Sequence, residues 1–188
     1  MTDFNASIKS GFVIVPKELA SIDTKHRYLD IAVYFVLKYY CCNGKSRISW
    51  NKISAILGIS KRDVNTAIKE LKQLGHIDYI KLPSDKNDYE FNEYNFTSEL
   101  KAGFEMIGKD LINQNLKAKQ IGLLIYLKLA SEFGWFHFNT IKEFAEMIGV
   151  TRQTASKYIK DLSAYIEPSK AGGLHFINQT KPTKQIIL

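Results

Sequence analysis

The chain has 188 residues, 45% of them apolar, and a formal charge of +7; this suffices for two small domains with their own cores and excludes a largely disordered chain. The basic excess is shared, +3 over residues 1–98 and +4 over 99–188, so each half suits a polyanionic partner. Met1-Thr-Asp-Phe-Asn lacks a basic segment followed by an apolar one, and no apolar run approaches the ~20 residues of a spanning helix, so a soluble, cytoplasmic protein with no membrane partner is expected.

Phe12-Val-Ile-Val15, stopped by Pro16, reads as a strand or an extended arm. A helix is predicted to begin after Asp23 or Thr24 and run through Tyr40, with Tyr28, Ile31, Ala32, Phe35 and Tyr39 at helical spacing and nearly all-round burial. It ends on Cys41 and Cys42, the only cysteines, an adjacent pair of a kind that rarely forms a disulfide and that lacks the spacing of a zinc site. Asn43-Gly44 breaks the helix, Arg47-Ile-Ser-Trp50 supplies a small strand, and Asn51 to Leu57 forms the next helix. After Ser60, the residues Val64, Ala67, Ile68, Leu71 and Leu74 recur at three and four positions and face inward, while Asp63 completes a variant capping box. Gly75 stops that helix, and Ile77-Asp-Tyr-Ile80 with Tyr89 to Phe96 reads as a hairpin.

The second half replays this order. Lys117 to Glu132 is the long helix, Trp135-Phe-His-Phe138 the small strand, Thr140 to Ile148 and Thr151 to Leu162 the helix pair, and Tyr165-Ile166 with Leu174 to Ile177 a shorter hairpin. Ala155, Tyr158, Ile159 and Leu162 face inward. Ile31–Lys38 aligns with Ile121–Lys128 at an offset of 90 residues, the helix pairs align at 91, and Phe12–Leu19 aligns with Phe104–Leu111 at 92. In each copy a short apolar helix ends at a glycine, Gly58 or Gly149. One apolar residue then plugs the turn, and Ser60 or Thr151 caps the next helix. One supersecondary unit is used twice.

Helix, strand, helix, helix, hairpin is the order of a winged helix-turn-helix domain, and the chain resembles tandem winged helix-turn-helix DNA-binding proteins over residues 12 to 180. Gly11-Phe-Val-Ile-Val-Pro16-Lys-Glu-Leu19, with the long helix and motif that follow, is similar to the amino-terminal domains of replication initiators from Gram-positive plasmids and phages. The resemblance implies a mainly α protein with small β-hairpins (α+β): one domain over 1–97, a second over 98–180, and a tail over 181–188.

It also implies that the second helix of each motif enters the major groove of duplex DNA. The groove-facing set is then Lys61, Arg62, Asn65, Thr66 and Lys69 in the first copy and Arg152, Gln153, Ser156, Lys157 and Lys160 in the second. The cap hydroxyls of Ser60 and Thr151 are placed to hold a phosphate. In the second wing, Lys170 stands beside Gly172 and Gly173, which would let the loop approach the DNA backbone closely, whereas the first wing sets Asp85 and Asp88 against Lys86. The linker Phe96 to Lys101 would set half-site spacing.

The expected function is sequence-specific duplex-DNA binding by a transcriptional regulator of a plasmid, phage or other mobile element. A replication initiator or origin-binding accessory protein, and a protein-interaction scaffold, are the alternatives. Initiators of the similar kind carry a further recruiting domain, which places the regulator first. A homodimer or a replication or transcription protein are further partners considered. No enzyme, cofactor or metal is expected: Gly44-Lys45-Ser46 lacks the leading glycine of a phosphate-binding loop, and His26, His76, His137 and His175 are scattered.

Overall fold

In the computed structural model, residues 11–23, 26–82, 92–97, 102–169 and 172–177 are described; most of the expected linker, 98–101, and the tail lie outside them. The protein is α+β, with helices and small antiparallel sheets, and divides into two compact units, residues 1–129 and 130–188.

Two long helices, α1 (Arg27–Tyr39) and α4 (Ala118–Leu129), form the centre of the first unit. Every residue of α1 from Tyr28 to Leu37 is buried, as is every residue of α4 from Gln120 to Tyr126. Their sequences are mostly apolar all round, with Asp30 and Gln120 as buried polar exceptions, and each fully buried Leu, Ile or Phe side chain contributes about 1.5–3 kcal/mol. The two helices pack against each other. At Gly122 the backbones touch: a Cβ there would stand 1.6 Å from the carbonyl oxygen of Tyr28, so only glycine fits. Beside this contact Tyr28 and Tyr126 meet edge to face at 5.5 Å, and the Arg27 guanidinium lies 4.9 Å from both rings.

Strand β1 (Phe12–Pro16) packs on α1 and pairs antiparallel with a strand far along the chain, Phe104–Gly108, numbered β6 below, with Ile14 opposite Met106. The sequence offset of 92 also carries Ile14 onto Met106, so the pairing is symmetric about that point. The flanking bonds obey the same symmetry: Lys17 N donates to Gly103 O at 3.1 Å, and Lys109 N donates to Gly11 O at 2.8 Å. A 3-10 turn follows each strand, Lys17–Ser21 and Lys109–Asn113, burying Leu19 and Leu111 in turn. The leading strands of the two sequence copies thus meet across a local two-fold axis.

After α1, β2 (Cys41–Cys42) and β3 (Lys45–Ile48) form a hairpin across Asn43 and Gly44, with φ of 51° and 79°. Cys41 and Cys42 are free thiols, the first half-buried and the second exposed. Next come α2 (Trp50–Leu57), α3 (Lys61–Gln73), β4 (Ile77–Lys81) and β5 (Asn92–Phe96), with sheet order β2-β3-β5-β4. Helix α3 buries Val64, Ala67, Ile68 and Leu71 and packs on α1 and α2. Leu74, expected to face inward, is 45% exposed, because α3 ends at Gln73 and Leu74 is its cap.

In the second unit, β7 (Trp135–Phe136), α5 (Ile141–Met147), α6 (Arg152–Asp161), β8 (Ile166–Pro168) and β9 (Leu174–Phe176) follow the order of β3, α2, α3, β4 and β5. The sheet order, β7-β9-β8, again sets the first strand against the last. Its core is aromatic: Phe138 stacks on Phe144 at 4.7 Å and Phe136 meets Phe144 edge to face at 6.0 Å. Ala155, Leu162, Ile166 and Leu174 are buried with them. Tyr158 and Ile159, expected inward, are half-buried.

Candidate nucleic-acid interface

The predicted surface lies on α3 and α6, and each helix is started by local chemistry. Ser49 caps α2 by accepting from Lys52 N at 3.3 Å, and Gly58 ends it with a left-handed φ of 62°. Ser60 then caps α3, accepting from Asp63 N at 3.1 Å. In the second unit Thr140 caps α5 through Glu143 N at 3.1 Å, Gly149 has φ of 69°, and Thr151 caps α6 through Thr154 N at 3.3 Å.

The two helix starts differ electrostatically. The Ser60 hydroxyl also donates to the Asp63 carboxylate at 2.7 Å, so its proton is committed and a negative charge sits on the first turn of α3. A phosphate approaching there meets repulsion. At α6 the cap hydroxyl shares a hydrogen bond with the Thr154 hydroxyl at 2.9 Å, and the first turn carries no acidic residue. Thr151 therefore fits the phosphate-holding role expected of both caps better than Ser60 does. The Ser60-x-x-Asp63 spacing was the sequence signal for this difference.

Lys61, Arg62 and Lys69 on α3 and Arg152, Gln153, Ser156, Lys157 and Lys160 on α6 are exposed. Among the described residues, none of the six cations in these two sets enters an ion pair. Three other cations of the first unit, two on the sheet and one near the end of α3, are neutralised. Lys45 and Arg47 both hold Glu93 at 2.7 Å, and their hydrogen bonds keep its carboxyl below the usual range. Lys72 holds Asp78 at 2.6 Å.

Two residues of the α3 set are less available than their spacing implies. Asn65 and Thr66 are half-buried. Thr66 Oγ1 donates back to the Arg62 carbonyl at 3.0 Å. Asn65 lies three residues before buried Ile68 and so beside it on the helix surface; its Oδ1 is buried with no hydrogen-bond partner.

Lys170 lies outside the described residues, as do Asp85, Lys86 and Asp88. The neighbouring glycines pack closely within the unit. A Cβ on Gly173 would fall 2.4 Å from Phe136 O, and one on Gly172 2.9 Å from Phe138 O. Both are needed to fold the hairpin against its own sheet.

Among the described residues no cluster of three or more His, Cys, Asp or Glu is placed to hold a metal ion, and no helix is long and apolar enough to cross a membrane. No family model, curated protein or solved structure matches this chain.

Proposed function

We propose that the chain is a tandem pair of winged helix-turn-helix modules that binds duplex DNA sequence-specifically and regulates transcription of a plasmid, phage or other mobile element. One observation carries this reading: the second helix of both helix pairs leaves Lys61, Arg62, Lys69, Arg152, Lys157 and Lys160 exposed and outside any ion pair among the described residues, while Lys72 near the end of α3 and Lys45 and Arg47 on the neighbouring sheet are neutralised. The topology supports it, since the strand before each helix pair joins the second strand of the hairpin after it, which braces the helix that would enter the groove.

In this reading Arg62 and Arg152, at the start of α3 and α6, read base edges, where a bidentate arginine contributes about 1–3 kcal/mol of discrimination. Lys69, Lys157 and Lys160 neutralise phosphates. Asn65 offers only its amide nitrogen readily. With three or four phosphates per module, affinity should fall by roughly a thousandfold between about 50 and 200 mM salt.

The test is selection of bound duplexes from a random pool, followed by titration of a recovered site with the parent and with an Arg62→Ala plus Arg152→Ala variant. A loss of about thirtyfold to ten-thousandfold in a variant that melts like the parent is expected, at about 1–3 kcal/mol for each arginine. Equal binding by parent and variant, or affinity flat with salt, refutes the reading.

A further inference from the structure

Asn43-Gly44 and Phe133-Gly134 form the same two-residue turn in the two units. All four residues have positive φ, 51° and 79° in the first turn and 50° and 83° in the second. The turns close between Cys42 and Lys45 and between Glu132 and Trp135. Asn-Gly is the pair this turn favours, whereas a phenylalanine there strains its own backbone. Phe133 gains nothing inside the molecule in return, because it is fully exposed.

The same exchange extends across the sheet. Positions 45 and 47 of the first unit hold Lys and Arg; ninety residues on they hold Trp135 and His137. Asn95, the partner of Lys45 across the sheet, corresponds to His175, the partner of Trp135. Trp135 lies 4.5 Å from the His175 ring and stacks at 6.5 Å on His137. Four polar or charged positions of one surface have become aromatic on the other.

The acid at the far side is kept but loses its lysine. Asp78, opposite Asn95, corresponds to Glu167, opposite His175. Lys72 holds Asp78 at 2.6 Å, while the residue ninety-one on from Lys72 is Ser163. Glu167 is left 60% exposed, with His175 Nδ1 at 3.8 Å. Exposed Glu132 bounds the other side. Glu132, Trp135, His175 and Glu167 therefore run across the second unit in pairing order: carboxylate, indole, imidazole, carboxylate.

We infer that this ladder is a docking surface for a protein partner, which presents an extended segment of apolar side chains flanked by two Lys or Arg residues. Three strand spacings of ~4.8 Å separate the carboxylates by about 14 Å, the reach of roughly four extended residues, which sets the spacing of the two basic groups. The aromatic pair between them fills the role that buried aromatic anchors take in interfaces. Nucleic acid is the wrong occupant, since both flanks are acidic. The surface also stands apart from the hairpin tip: Phe176 N donates to Gly134 O at 3.4 Å, whereas Gly172 and Gly173 lie against Phe138 and Phe136, at the other end of β7 and β9. The inference does not depend on the DNA-binding reading.

The test uses the full chain and a phage-displayed random peptide library, counter-selected on a Phe133→Asn plus Trp135→Lys variant. Enriched peptides should carry an apolar centre between two basic residues. A synthetic peptide of that sequence should bind the parent at least tenfold more tightly than the variant, weaken with salt, and persist when excess duplex DNA is added. Phe133→Asn alone restores the favoured turn residue, so it should melt at or above the parent temperature while losing peptide affinity, which separates lost binding from lost folding. Peptides that lack the basic pair, or bind the variant equally, overturn the proposal. So does displacement by DNA, which assigns the face to nucleic acid, and so does a parent dimer in sedimentation that the variant abolishes, which assigns it to a second copy of the chain.

Discussion

Gly122→Ala is the sharpest test of the first unit, because local propensity and tertiary packing predict opposite signs. Within an isolated helix the change favours folding by about 1 kcal/mol, since alanine loses less conformational freedom than glycine. In the folded unit the added Cβ would stand 1.6 Å from the Tyr28 carbonyl oxygen, against an ordinary contact of 3.4 Å or more, so α1 and α4 must part by about 1.8 Å. A gap of even ~0.5–1 Å already forfeits a quarter to a half of the dispersion energy of a contact, and α1 is buried on every side from Tyr28 to Leu37. Overpacking of this kind costs about 1–3 kcal/mol or more, and the Tyr28–Tyr126 contact and the Arg27 stack beside Gly122 are disturbed with it. A net loss of about 2 kcal/mol, or roughly 10 °C in Tm, is expected. Urea unfolding followed by far-ultraviolet circular dichroism measures it, with thermal melts as a second readout. A Gly122→Ala protein as stable as the parent, or more so, would mean that the two helices do not meet at this point.

Lys38 offers a pH test. Burial lowers its ammonium pKa to about 8, against 10.5 for a free side chain, so between these values the unfolded chain holds more protons than the folded one. Stability should therefore rise with pH across that window relative to Lys38→Met, and denaturant midpoints of the two proteins should diverge there. Ser60→Ala and Thr151→Ala should each lower stability by about 1 kcal/mol through loss of a cap, read as shifts in urea midpoint. Asp63→Asn removes the charge from the first turn of α3 and should tighten DNA binding a few-fold at low salt, with the gain fading at high salt; unchanged affinity at low salt would mean that phosphate does not approach this turn.

The helix pairs were legible in the chain because their signals are local. Ser60 and Thr151 cap, Gly58 and Gly149 take positive φ, and Val64, Ala67, Ile68 and Leu71 recur on one face; each depends on residues within about four positions. The exposed cations of α3 and α6 follow from the same periodicity. Errors arose at borders, where spacing sets direction but not depth: Leu74 fell just beyond the last turn, and Asn65 lies partly against the core. The glycines of the second hairpin carry a packing role that the sequence did not name, for a related reason. A Gly-Gly pair announces close approach without naming what approaches, and here it is the backbone at Phe136 and Phe138.

By itself, then, the amino-acid order determined the duplicated succession of elements, their caps and their outward charges, all set by short-range geometry. Only the tertiary structure decided that β1 pairs with β6, that α1 lies on α4 through Gly122, and that one sheet surface is charged and its counterpart aromatic. An apolar strand such as Phe12–Pro16 specifies that it must be paired and covered, but not by which segment. That choice rests on cooperative burial among residues some ninety positions apart, which no local pattern encodes.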